Sequence, residues 1–288
     1  MSKSILITGT SNGFGRDAAL TLAAAGHRVF ATMRDVCGRN REAARELQLK
    51  GIEVVELDVK DDRSVEAAFE SILEKLGGKL DVVINNAGLM IQGTSETITA
   101  DQTRDMFDVN VFGVQRVMRA ALPAMRKVGS GLVINIGSIL GRVTIPFAGL
   151  YGATKHAVEA MTESYRYELS QLGIDVVLVQ PSAYPTNLYS THVTPADSNR
   201  EAEYGPIAAF PKAFVAFLQD TFGGANAPNP HDVAETLARL VATPAGQRPA
   251  RVVVGNPFGA SDVNAVVEPI QAKLISNIGM DGLATLKV

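Results

Sequence analysis

The sequence predicts an α/β fold: a doubly wound, mostly parallel seven-stranded sheet in a single domain spanning residues 1–288. Three observations carry this expectation. Short apolar runs alternate with segments of helical length along most of the chain. A glycine turn follows the first apolar run directly. No internal repeat, low-complexity tract or linker-like shift in composition divides the chain.

Ser4–Thr8 is an apolar run of strand length that ends at Gly9. Phe14–Gly26 carries Ala and Leu at helical spacing, and Gly26 supplies the C-terminal stop. Arg28–Met33 is a second buried strand. Arg39–Lys50, rich in Ala, Glu, Leu and Arg, is a solvent-facing helix closed by Gly51. Ile52–Leu57, Leu80–Asn85, Gly131–Ile136, Ile174–Gln180 and Arg251–Gly255 are the remaining strands. Ser64–Leu76, Ala100–Lys127, Tyr151–Leu172 and Asp232–Ala242 are helices between them. Alternation of this kind implies parallel strands joined by right-handed crossovers. Residues 183–230 break the rhythm with Pro, Asn, Gly and aromatic residues, and the last thirty residues read as helical or irregular.

Lys and Arg number 27 against 30 Asp and Glu, a net charge of −3. That excludes a generally basic nucleic-acid-binding surface. A hydrophobic content of 46% gives no support to an acidic disordered chain. The single cysteine, Cys37, cannot close an internal disulfide, which points to a reducing, cytoplasmic setting. The first apolar run is too short for a secretory signal, and no run approaches the ~20 residues of a membrane span.

The first turn reads Thr8-Gly9-Thr10-Ser11-Asn12-Gly13-Phe14-Gly15 and opens the first helix. Glycines at 9, 13 and 15 let the backbone turn sharply and approach a pyrophosphate. A helix N-terminus then offers free N–H groups and the positive end of its dipole. Ser11, Asn12 and Phe14 fall within the same candidate cofactor turn. A glycine-rich turn without a ligand is the alternative; the strand before and the helix after favour the dinucleotide reading, a Rossmann fold. No Lys-Ser or Lys-Thr follows, so a Walker-type loop does not fit.

That turn, Asn85-Asn86-Ala87-Gly88 after the fourth strand, and Tyr151-x-x-x-Lys155 together resemble the short-chain dehydrogenase/reductases. The likeness is to the single-domain branch of the hydroxysteroid and retinol dehydrogenases. It runs in order from about residue 4 to about residue 255. It implies an NAD(P)-dependent enzyme that interconverts alcohols and carbonyls.

Tyr151 and Lys155 stand at i and i+4, on one helix face. A tyrosine of pKa ~10 is a poor base at neutral pH, and a nearby ammonium favours its phenolate. Seen alone, such a pair is more often an ordinary helix-surface pair; the other motifs reverse that. Ser138 follows the fifth strand, beyond whose carboxyl end ligands of open α/β sheets bind. Asn110 stands in a predicted mid-helix position, where asparagine is a weak helix former. The resemblance implies roles for these residues. Tyr151 exchanges a proton with the substrate oxygen and Ser138 donates to that oxygen. Lys155 lowers the tyrosine pKa and bonds the nicotinamide ribose. Asn110 holds a water in a proton relay to the lysine.

At the end of strand two, an NAD site usually keeps an acid for the ribose 2′-hydroxyl. Here Met33 stands there and Arg34 follows, and a guanidinium suits a 2′-phosphate. NADP is therefore expected over NAD. Against it, Asp35 comes next, and Asn12 occupies a place where the family often has a second basic residue. By resemblance, Asp58 contacts the adenine, Asn86 and Gly88 flank the adenosine ribose, and Thr186 bonds the carboxamide. Pro181-Ser182 replaces the family's frequent Pro-Gly. No metal is expected.

Tyr184, Tyr189, Tyr204, Phe210, Phe214, Phe217 and Phe222 crowd the irregular segment, and Phe210, Phe214, Phe217 and Leu218 repeat at helical spacing. This face either packs on the sheet or a neighbouring subunit, or it closes as a lid, residues 183–230, over a lipophilic substrate. Leu140, Phe147 and Tyr184 would then join Ser138 and Tyr151 in the substrate wall. The resulting expectation is an NADP-dependent oxidoreductase acting on a lipophilic small-molecule ketone, aldehyde or alcohol. A catalytically silent NADP-binding regulator is disfavoured because the tyrosine and lysine are both kept. An epimerase or dehydratase of the same superfamily is disfavoured because only about thirty residues follow the seventh strand. A homodimer or homotetramer is expected by family analogy, with no nucleic-acid partner and no membrane span.

Overall fold

A strand covered by helices on both faces needs apolar side chains in both directions. β1 (Ser4–Thr8) meets this need by sending Ile5 and Ile7 into one core and Leu6 into the other. β5 (Gly131–Ile136) repeats it, with Leu132, Ile134 and Ile136 on the first side and Val133 on the second. The computed structural model describes residues 1–190 and 193–288, with the side chains of Tyr189 and Ser190 outside the description. Its sheet also holds β2 (Arg28–Met33), β3 (Glu53–Glu56), β4 (Val82–Asn85), β6 (Ile174–Pro181) and β7 (Arg251–Val254). The strand order is β3-β2-β1-β4-β5-β6-β7, and every pairing is parallel rather than most of them.

One face is covered by α1 (Gly13–Ala24), α2 (Arg41–Leu49) and α10 (His231–Ala242), which contribute Ala18, Leu22, Leu47, Val233 and Leu237 to the first core. The other is covered by α3 (Asp62–Lys75), α5 (Gly113–Val128) and α6 (Gly149–Ser170), through Phe69, Ile72, Val117, Met118 and Leu169. Strand order reverses between β1 and β4. At such a switch point the loops leaving the carboxyl ends diverge and open a crevice.

Three departures from the sequence reading matter for the site. The helix expected from residue 39 begins at Arg41. Residues 34–40 instead form a loop in which the Asp35 backbone carbonyl accepts from Gly38 and Asn40, and its carboxylate accepts from Arg39 N at 2.9 Å. The helix expected over 100–127 is α4 (Ala100–Phe107) and α5 joined through a π turn, Asp108–Phe112. The extra residue of a π turn lets Asn110 leave the helical hydrogen-bond pattern and point inward, where it is 1% exposed. The irregular segment and the C-terminus hold real helices: α7 (Asn187–Ser190), α8 (Ser198–Glu203), α9 (Phe210–Gly223) and α11 (Ala260–Asn277). Among the described residues no helix is long and apolar enough to cross a membrane.

Candidate active site

A cavity of about 990 Å³ runs along the carboxyl ends of β1, β2, β4, β5 and β6. At one end lies the glycine turn. Gly9 and Gly13 adopt φ of 71° and 56°, the left-handed region that glycine enters without strain. A Cβ on Gly9 would stand 2.7 Å from Ala87 Cα, so the first turn can pass the β4 loop only without a side chain. Asn12 precedes α1 with extended backbone and gives it no side-chain cap, and Ser11, Asn12, Gly13 and Phe14 all line the cavity. A helix N-terminus left uncapped toward a cavity fits a pyrophosphate.

Gly15 does not line the cavity. A Cβ there would meet Asn86 Nδ2 at 2.3 Å and Gly9 O at 2.5 Å, so this glycine serves close packing rather than ligand contact. Asn86 ties the two loops together, donating Nδ2 to Thr8 O at 2.9 Å and to Gly9 O at 3.0 Å. Gly88, Asp58, Pro181, Ser182 and Thr186 border the same space. Asp58 Oδ1 accepts from Lys60 N at 3.0 Å, and Ser182 N is bonded to Val254 O at 2.9 Å.

Arg34 is exposed at the mouth of this end, with its carbonyl accepting from Asn40 Nδ2 at 2.6 Å. Arg39, expected at the start of a helix, lines the same mouth from the loop ahead of α2. Among the described residues neither guanidinium has an ion-pair partner. Asp35, at φ of 53°, lies in the loop that carries both arginines to the cavity, a bend that the local sequence does not mark.

Tyr151 and Lys155 sit at the middle of the cavity on α6, 6% and 5% exposed. Lys155 Nζ donates to Ile136 O, the last residue of β5, at 2.9 Å and stands 5.7 Å from the centre of the Tyr151 ring. Burial alone pushes the lysine down to about 8, because the ammonium loses its water. Ser138 leaves β5 beside them, its Oγ accepting from Leu140 N at 3.1 Å, and it opens the Ile139–Gly141 turn.

Asn110 lies behind this group and does not line the cavity. Its Nδ2 donates to Leu89 O at 2.8 Å and Thr154 Oγ1 at 2.9 Å, while Oδ1 accepts from Leu89 N at 2.8 Å. The amide thus pins the β4 loop to α6. Both of its hydrogens are committed, and only a lone pair on Oδ1 is left for the expected relay water.

The other end is apolar. Leu140 lines it, with Met90, Val143, Ile145, Phe214, Phe217 and Leu218. The charged lining residues are Arg34, Arg39, Asp58, Lys60, Asp105 and Lys155, and none belongs to this wall. The other two expected wall residues, Phe147 and Tyr184, stand differently. Phe147 does not line the cavity: it takes φ of 66° and stacks on Phe210, with ring centres 6.3 Å apart. Tyr184 borders the cavity, but its side chain belongs to the core. It has no exposed surface, packs edge-on against Phe14 at 5.6 Å, and its hydroxyl is pushed up to about 12 by burial and by Asp232. Tyr189, named with the aromatic group, lies outside the described side chains.

The base of the segment 194–204 is tied to the stretch ahead of α4. Asp197 N donates to Thr97 O at 3.1 Å, Gln102 Nε2 to Thr194 O at 2.8 Å, and Tyr204 Oη to Glu96 Oε2 at 2.6 Å.

Comparison with known proteins matches this architecture. The short chain dehydrogenase family profile matches residues 3–195. Human 17-beta-hydroxysteroid dehydrogenase type 1 is 34% identical over 248 residues, 83% of this chain and 74% of that protein. The crystal structure of a short-chain dehydrogenase from Streptomyces avermitilis superposes with a TM-score of 0.76 at 30% identity, over 96% of each chain. A 3-ketoacyl-(acyl-carrier-protein) reductase from Brucella melitensis, solved with NADH, superposes at 0.73 and 27% identity, over 88% of this chain and 98% of that one. With more than half of the chain inside the family's profile and a relative of this identity spanning most of it, the chain belongs to the short-chain dehydrogenases and is an oxidoreductase.

Proposed function

We propose that this protein reduces lipophilic ketones, or oxidises the matching secondary alcohols, with NADP. One observation carries the reading: a single cavity has Tyr151 and Lys155 at its middle, two unpaired guanidiniums at one mouth and an uncharged apolar wall at the other. The glycine turn and uncapped α1 fit a pyrophosphate, and Arg34 and Arg39 fit a 2′-phosphate better than a bare ribose. When bound, the nicotinamide supplies or takes the hydride at the substrate carbon.

The chain's own residues supply the rest. Ser138 orients and polarises the substrate oxygen. Tyr151 gives that oxygen a proton in reduction and takes it back in oxidation. The Lys155 ammonium, retained below pH about 8, favours the phenolate that remains. Asn110 keeps α6 and the β4 loop in register beneath these groups. Residues 183–230 act as the lid: Phe214, Phe217 and Leu218 face the cavity from α9 and would exclude water from the hydride transfer. The relatives named above include a steroid dehydrogenase and a ketoacyl reductase, which is consistent with an apolar carbonyl substrate.

The test is a kcat/KM series from acetone through cyclohexanone to 2-decalone and a steroid ketone, with NADPH and with NADH. Values that rise with apolar size and favour NADPH support the reading. A flat series, or a preference for sugars or charged acids, removes the lipophilic substrate.

A further inference from the structure

Glu159 lies two turns along α6 from Tyr151 and one turn from Lys155, and the chemistry above does not use it. Its side chain is 5% exposed. A carboxylate is expensive to bury unless it is paired, and this one is densely paired. Arg142 and Arg251 each place Nε 3.2 Å from Oε2, and each arginine side chain is 14% exposed. Gln180 on β6 donates its amide to Oε1, and Asn264 on α11 donates to Gln180 Oε1 at 2.8 Å. Burial raises the Glu159 carboxyl while the two arginines oppose that shift.

The two arginines differ in where they come from. Arg251 opens β7 and also bonds Glu163 at 2.7 Å. Arg142 closes the short turn that begins at Ser138. That turn's own hydrogen bonds fix its shape: Gly141 N donates to Ser138 O at 3.0 Å and Arg142 N to Ile139 O at 2.9 Å. They do not fix where the turn sits over α6. Its root is tied to the sheet, Gly137 N donating to Val179 O at 2.8 Å; beyond that root, its placement comes from close packing and from the ion pair. A Cβ on Gly141 would stand 2.8 Å from Glu159 Cγ and 3.0 Å from Lys155 O, so the turn rides directly on the helix that carries the lysine.

We propose that Glu159 is a positioning residue which, through Arg142, sets where Ser138 stands relative to Tyr151 and Lys155. The proposal rests on the reading of those three as the reacting groups. A misplacement near 1 Å in such a group costs on the order of 100-fold in rate.

The second arginine on the same carboxylate provides a comparison. Arg142→Met and Arg251→Met each remove a guanidinium 3.2 Å from the same carboxylate and equally exposed, although only Arg251 Nε also meets that carboxylate in hydrogen-bond geometry, Arg142 Nε making the ion pair alone. Both are made in the full chain and assayed for NADPH-dependent reduction of 2-decalone. Arg142→Met is expected to lower kcat by roughly 10–100-fold, with the NADPH dissociation constant held within about twofold. Arg251→Met is expected to lose at least as much thermal stability, since it gives up two carboxylate partners, yet to keep kcat within about twofold. Equal kcat losses in the two variants, or an undiminished kcat in Arg142→Met, overturn the proposal. If Arg142→Met does not fold, Arg142→Lys takes its place, and the same comparison with Arg251→Lys decides.

Hydrogen exchange of the 138–142 amides gives a second readout that needs no turnover. Faster exchange in the Arg142 variant alone supports the clamp, and equal acceleration in both variants overturns it. Should the wild-type chain reduce no ketone, the proposed function falls, and the exchange comparison still decides the role of Glu159.

Discussion

The two ends of the cavity are built on different principles. At the nucleotide end, each wall is the end of a strand or the turn leaving it. Its polar atoms are bonded back to the sheet: Asn86 to Thr8 and Gly9, and Thr10 to Thr32. At the other end, the wall is the Ser138 turn, seated on α6 by close packing and the Arg142–Glu159 ion pair, and helix α9, which the Phe147–Phe210 ring contact joins to the stretch before α6. Phe210 and Phe217 remain 58% and 63% exposed. Strand register fixes the first wall to within a hydrogen bond. The second is suspended on side chains that can rearrange without disturbing the sheet. In the proposed function, cofactor recognition rests on the rigid end and substrate choice on the adjustable one.

The sharpest way to break this division is at its seam. Tyr151→Phe removes one hydroxyl where the two ends meet. It should leave NADPH binding intact, as followed by fluorescence titration, and lower kcat by about 10²–10⁴-fold. A near-native kcat would move the proton transfer elsewhere.

Arg34→Ala tests the rigid end alone. The kcat/KM ratio of NADPH to NADH should fall by about 10–100-fold, the worth of a lost charge-assisted hydrogen bond, with the preference among ketones unchanged. Arg39→Ala should act in the same direction. If the ketone preference shifts as well, the two ends are not separable.

Lys155 gives a pH signature. Its folded value, about 8, lies below the ordinary 10.5. Between these values the unfolded chain binds more protons than the native protein, so this group's contribution to stability rises with pH, by up to ~1.4 kcal/mol per pH unit. The stability gap between the cofactor-free wild type and Lys155→Met should therefore move in favour of the wild type from pH 8 to pH 10. A constant gap in denaturant titrations would mean that the ammonium is not desolvated.

Phe217→Ala tests the adjustable end and should have the smallest effect. KM for 2-decalone should rise by about 3–10-fold, because a ring that covers the substrate only in part loses a fraction of the ~1.5–3 kcal/mol of full burial. KM for acetone and for NADPH should stay within about twofold.

The same contrast explains what could be read without coordinates. Strands buried on both faces appear as continuous apolar runs, so β1, β4, β5 and β6 were visible almost to the residue. The glycine turn was visible because glycine enters φ of 71° without strain and, lacking a Cβ, can pass Ala87 where a Cβ would stand 2.7 Å from its Cα. The π turn at Asn110 left only the oddity of a mid-helix asparagine. Arg39 was hidden because it stands just ahead of the Asn40 cap of α2, and local sequence places a helix end only to within a residue or two. Phe147 misled because its left-handed backbone turns the ring toward Phe210. The helix α11 lies in the stretch read only as helical or irregular. Each miss lies where tertiary contacts, not local pattern, decide the conformation.

The tether between residues 194–204 and 96–102 has a consequence for exchanging parts between relatives. Transplanting the aromatic segment alone would strand Glu96, Thr97 and Gln102, which bond Tyr204, Asp197 and Thr194 across more than ninety positions of sequence. The modular unit is discontinuous: two pieces of chain, on opposite sides of the Tyr151 helix in sequence, that travel together. A recombination library cut at single crossover points would separate them, while one that swaps both pieces as a pair would keep the graft seated.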